Sequence, residues 1–195
     1  MTTLPDYIKE RFFRTITEDY SIYDFEQWLY SDKELEILLP PDDYLDLISL
    51  SFKKSGAKYE LWNLLRKNIN IGELETFKML QLLGTAKQKS ERQALAIIEF
   101  YDLYCKGYSF LQNLGLRYGL SLEVPRVKNT TADSWYELKE NEQRKLLDSL
   151  SPGLEIEIDR VKNLIETGII ILTGERDEMG YFEYVDLRKK NEKEL

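Results

Sequence analysis

Apolar residues recur at helical spacing through most of this chain. Ile8, Phe12, Phe13 and Ile16 lie on one stripe within residues 4–17, with Pro5 near the start. Residues 22–52, IYDFEQWLYSDKELEILLPPDDYLDLISLSF, compress three short apolar patterns into one stretch. Ser21 and Asp24 form one S-x-x-D start, and Ser31 and Glu34 form an S-x-x-E start, both read as N-caps. They predict helices over about 22–30 and 32–39. Pro40 and Pro41 end the second and preset the first turn of a third, over about 42–52. Trp28, Leu38, Leu47 and Ile48 are the expected core residues of the 22–52 stretch. Tyr59, Trp62, Leu65 and Ile69 mark another helix, and Gly72 is read as separating it from one with Leu74, Phe77, Leu80 and Leu83 in threes. Ser90 is read as the cap of a nearly all-apolar helix over 91–106, expected to be central. On it Cys105 is expected to be a small buried apolar residue. GYSFLQNLGLRYGLSLEVP then reads as a short helix with an extended exit.

The polar run 125–133 carries the best boundary signal. Ser134 and Glu137 start a helix expected to reach about 149, and Pro152-Gly153 breaks it. Leu154, Ile158, Val161 and Ile165 define an amphipathic helix ended by Gly168. Residues 169–173 and 181–185 are β-rich runs around ERDEMG, a hairpin signal. The expected fold is mainly α: a bundle-like multi-helix domain over 1–123, then a helix-helix-β-hairpin unit over 124–195 packed on it. The charged tail 188–195 is expected to fray.

Charge sharpens the picture in one place. The 195 residues carry a net charge of -8, yet residues 22–52 alone hold eight acids against Lys33. Helix starts explain part of this cluster, since carboxylates there favour the positive end of the helix dipole. With a pI near 4.9, and neither half basic, nucleic acid and anionic membranes are not expected partners. No apolar run approaches the roughly 20 residues a membrane span requires. The N-terminus has no export signal, and one cysteine fits a reducing compartment, so the expected location is the cytoplasm.

The sequence contains no histidine, which removes Ser-His-Asp triads and Cys-His zinc sites. Nucleotide-binding glycine motifs and C-x-x-C are also missing, so no enzyme activity, catalytic residue, metal ligand or cofactor is expected. ERDEMG lacks the alternating oxygen ligands of a calcium loop. Helix, helix and hairpin in that order suggest a winged helix. Its would-be recognition helix carries Glu155, Glu157, Asp159 and Glu166 against Arg160 and Lys162, which disfavours DNA.

The stretch FEQWLYSDKELEILLPPDDYLDLISLSF contains an F-E-x-W-[LV]-Y, L-E-x-x-L, Y-x-x-L-I-S pattern. Together with KYELWNLLRK, GYSFLQNLGLRYGLSLEVP and IILTGERDEMGYFEYVDLR, it resembles bacterial polymorphic-toxin immunity proteins and their uncharacterised relatives. The resemblance implies a non-enzymatic protein that binds and neutralises a cognate toxin, with a basic toxin domain as partner. Concentrated acids would steer such an encounter. The partner-binding residues expected on this reading are Glu26, Glu36, Asp43 and Asp46, with Glu175, Asp177 and Glu178 at the hairpin tip. The alternative is a helical adaptor or regulator that uses its winged-helix-like C-terminal unit for protein contact.

Overall fold

A computed structural model describes residues 4–125 and 132–189. The protein is mainly α-helical, and a two-stranded antiparallel hairpin follows the last helices, as the sequence predicts. The chain divides into two compact units, Met1–Leu74 and Glu75–Leu195. The expected boundary after residue 123 falls inside the second unit instead, because the helices before and after it share one hydrophobic core. That core takes in Ile97, Phe100 and Leu114 as well as Leu154, Ile158 and Val161. Most of the polar run that suggested the boundary lies outside the described residues. Among the described residues, no helix is long and apolar enough to cross a membrane.

The first unit contains α1 (Asp6–Ile16), α2 (Ile22–Ser31), α3 (Leu35–Leu38), α4 (Pro41–Ile48) and α5 (Ala57–Lys67). Ile8, Phe12, Phe25, Leu29, Leu35, Leu47 and Leu65 are fully buried in its core. Edge-on aromatic contacts tie Trp28 to Phe12 and Phe25, with centroids 6.1 and 5.4 Å apart. Trp28, Leu38 and Ile48 are half-buried against this core, beside fully buried Leu47.

Local signals account for some boundaries and fail at others. Ser21 caps α2 as expected, its Oγ accepting the Asp24 N–H at 3.0 Å. Ser31 does not cap the next helix. It is the last residue of α2, and its hydroxyl donates to Trp28 O. No side chain caps the next helix: Asp32 ends α2, its Oδ1 accepts the Glu34 N–H at 2.9 Å across the connecting turn, and α3 begins only at Leu35. Pro41 occupies the first turn of α4 as predicted, but α4 stops at Ile48, short of Phe52.

The second unit holds most of α6 (Ile71–Lys87), then α7 (Gln93–Cys105), α8 (Leu120–Glu123), α9 (Glu140–Leu150) and α10 (Gly153–Glu166). Gly72 lies within α6 rather than before it. Asn70 caps that helix, its Oδ1 accepting the Glu73 N–H. Leu74, Met79, Leu83 and Ala86 are its buried apolar side chains, since a strict repeat of three drifts off a 3.6-residue helix. Ser90 is not a side-chain cap, and α7 starts two residues late at Gln93. Cys105 is exposed at its C-terminal end, not buried.

Between α7 and α8 the chain forms a 3-10 turn (Ser109–Leu111) and a π-helical stretch (Asn113–Gly119), where a short helix and an extended exit were expected. Gly115 and Gly119 let this stretch lie directly on α7. A Cβ at Gly119 would stand 2.9 Å from the Ile97 carbonyl oxygen and from Tyr101 N and Cβ. Ser134 starts only a 3-10 turn (Trp135–Glu137); α9 begins at Glu140, with Glu142 accepting the Lys139 N–H.

The hairpin pairs β1 (Ile170–Arg176) with β2 (Phe182–Asp186), in the register Ile171 to Val185, with a bulge between Leu172 and Arg176. Gly168 (φ 70°) caps α10 before it, as predicted. The Phe182 N–H donates to the Lys106 carbonyl at 2.8 Å, and the Phe182 ring stacks on Tyr108 with centroids 4.6 Å apart. Arg188, expected to fray with the tail, is held by a bidentate pair with Asp186 at 2.9 and 3.1 Å. The tail from 190 onward lies outside the described residues.

Candidate functional site

The acidic segment folds as α2, α3, α4 and their short connections, and its carboxylates sort by what they touch. Asp24 supports the start of α2, and Asp32 closes the turn between α2 and α3. Glu34 accepts a 2.5 Å hydrogen bond from the Tyr7 hydroxyl of α1. That bond, with Asp32 also nearby, pushes the Tyr7 phenol up to about 12, because ionisation would place a second negative charge beside Glu34. These three acids serve the fold.

The four expected contact acids of this segment do not behave alike. Asp43 and Asp46, three residues apart on α4, lie 3.9 and 3.5 Å from Lys67 Nζ of α5. Their charge is partly answered within the unit, and Asp43 is half-buried. Glu26 is half-buried on α2, and Glu36 is exposed on α3. The structure thus places all four on α2–α4, with Glu36 and Asp46 exposed.

The structure adds what periodicity overlooked, an apolar component on the same elements. Ile37 is 83% exposed next to Glu36, Tyr30 is 58% exposed at the end of α2, and Leu45 is 54% exposed on α4. Tyr30 reaches α4, its hydroxyl donating to the Ile48 carbonyl at 3.4 Å. The signal available in sequence was phase. Ile37 and Leu45 fall outside the i, i+4 spacing of Leu35 and Leu39 and the pattern of Leu47 and Ile48. An apolar residue out of phase with its core stripe must face outward.

The hairpin acids divide similarly. Asp177 builds the turn, its Oδ1 accepting the N–H groups of Met179 and Tyr181, both at 2.9 Å. It holds the turn while remaining exposed. Arg176 donates to the Gly180 carbonyl at 2.7 Å and lies 3.8 Å from the Phe182 ring centroid. Glu175 and Glu178 are exposed. On the hairpin's outer face Ile171, Val185 and Leu187 are exposed together, Ile171 and Val185 as cross-strand partners.

The bases of α10 are engaged by acids. Arg160 donates to Glu157 through two nitrogens, and Lys162 is 3.5 Å from Glu166. Such a helix offers little free positive charge to phosphate. Comparison with protein-family models, curated proteins and solved structures yields no match.

Proposed function

We propose that this chain is a non-enzymatic protein-binding module, and that α2–α4 form the face that meets a basic protein. The observation that carries this reading is the exposure of Ile37, Tyr30 and Leu45 among Glu26, Glu36, Asp42, Asp43 and Asp46. Tyrosine and large aliphatic side chains anchor interfaces through desolvated area, and surrounding charges steer approach and select the partner's sign. A helix face serving solubility alone needs the acids but not an exposed isoleucine. The immunity-protein resemblance gives the partner its class: a cationic toxin domain, neutralised by occupation of its phosphate-directed surface, in the cytoplasm.

The test is capture from the native host with two variants. The quadruple variant Glu26→Gln, Glu36→Gln, Asp43→Asn and Asp46→Asn should bind the captured protein more slowly, with a flatter salt dependence. Ile37→Asp should raise its dissociation rate. Equal binding by all three proteins would reject this face. A second reading, an adaptor that docks through its C-terminal unit, is favoured by the exposed Ile171–Val185 pair and Leu187. It predicts loss of the partner with Val185→Asp and retention with Ile37→Asp.

A further inference from the structure

The first unit contains a cavity that neither its core fills nor the acidic face uses. It has a volume of about 220 Å³, and Ile16, Ile22, Leu61, Trp62 and Leu65 supply its apolar walls. The cavity is partly open to solvent, with Thr15, Glu18, Tyr20, Ser21 and Lys58 completing its lining. Apolar walls favour apolar occupants, as in an engineered, fully enclosed cavity of about 150 Å³ that holds benzene. The hydroxyls on the wall already donate within the protein. Thr15 Oγ1 donates to Arg11 O at 2.8 Å, Ser21 Oγ to Asp24 Oδ2 at 2.6 Å, and the Tyr20 hydroxyl to Asp24 O at 3.1 Å. Trp62 is steadied by the Arg66 guanidinium, 4.3 Å from its ring centroid.

The charged groups at the cavity answer each other. Glu18 and Lys58, both largely exposed, form an ion pair at 3.1 Å. Such a pair selects neither a cation nor an anion strongly, and it opens at small cost. Glu18 is also held at φ 63°, a left-handed conformation at the end of α1 that usually belongs to glycine. A strained backbone at the edge of a cavity is a recurring feature of ligand sites.

We propose that this cavity binds one small uncharged apolar molecule, a monocyclic aromatic or a branched hydrocarbon of about six to eight carbons. The site shares the start of α2 at Ile22 with the proposed partner face but requires no partner. The probe is toluene, titrated into the full-length protein, with phenylacetate and benzylamine as its charged analogues. The indole resonance of Trp62, identified by its loss in Trp62→Phe, reports occupancy, and that of Trp135 in the other unit serves as reference.

The expected result is a saturable shift of Trp62 but not Trp135, with toluene binding more tightly than either charged analogue. Ile22→Phe should abolish the response by filling the space, whereas Lys58→Ala should keep it. The wild-type titration decides the matter even if Ile22→Phe does not fold. No saturable Trp62 shift up to the solubility of toluene, an equal shift of Trp135, or tighter binding of a charged analogue would overturn the proposal.

Discussion

The Tyr7 hydroxyl joins α1 to α3 through one hydrogen bond to Glu34, and that bond requires the phenol to keep its proton. Because the phenol is raised in the folded state, the stabilisation is fully present below the ordinary tyrosine range near 10. It is lost as pH climbs through about 12. Tyr108 adds to the same limb, since burial also raises its phenol. Stability should therefore fall above about pH 10, and Tyr7→Phe should flatten part of that fall in alkaline unfolding curves. Glu18 offers a test with the opposite sign. Glycine at φ 63° relieves a left-handed backbone at the loss of an exposed ion pair. Glu18→Gly should stabilise the unit by about 0.5 to 1 kcal/mol in denaturant unfolding. Leu47→Ala removes a fully buried side chain and should cost about 2 to 5 kcal/mol in the same measurement.

Among the elements, the contact of α7 with the π-helical stretch depends on what two glycines lack. A methyl group at Gly119 would press on Ile97 and Tyr101 backbone atoms, which cannot rotate away. Gly119→Ala should therefore destabilise by about 1 to 3 kcal/mol, measured by denaturant unfolding. A cost near zero would mean that the stretch shifts freely off α7. Neither this packing nor the π-helical backbone was legible in the sequence, because glycine marks turns and close contacts alike. The hairpin was legible: two β-rich runs flank a turn whose Asp177 and Gly180 supply its hydrogen bonds and positive φ. So was the Ser21 cap. Ser31 misled because α2 runs on through it, so its hydroxyl turns back to Trp28 O, and α3 starts at Leu35 with no side-chain cap.

At the scale of the whole molecule, amphipathic periodicity revealed helices without saying which of them share a core. The two cores divide at Leu74 and Glu75, inside α6, where composition hardly changes. The acidic cluster was visible as a run of residue types, but its division into structural and outward-facing carboxylates was not. That division depends on Tyr7 and Lys67, which are distant in sequence from the acids they hold. What remains outward combines Glu36, Ile37, Tyr30 and Leu45, and the proposed function rests on that combination. The most direct measurement is the association rate of the captured partner across a salt series, for the wild type and the Glu26, Glu36, Asp43, Asp46 quadruple variant. The account predicts a steep decline with salt for the wild type, and a slower, flatter dependence for the variant at unchanged fold stability. Identical rates and identical salt slopes for the two proteins would contradict it.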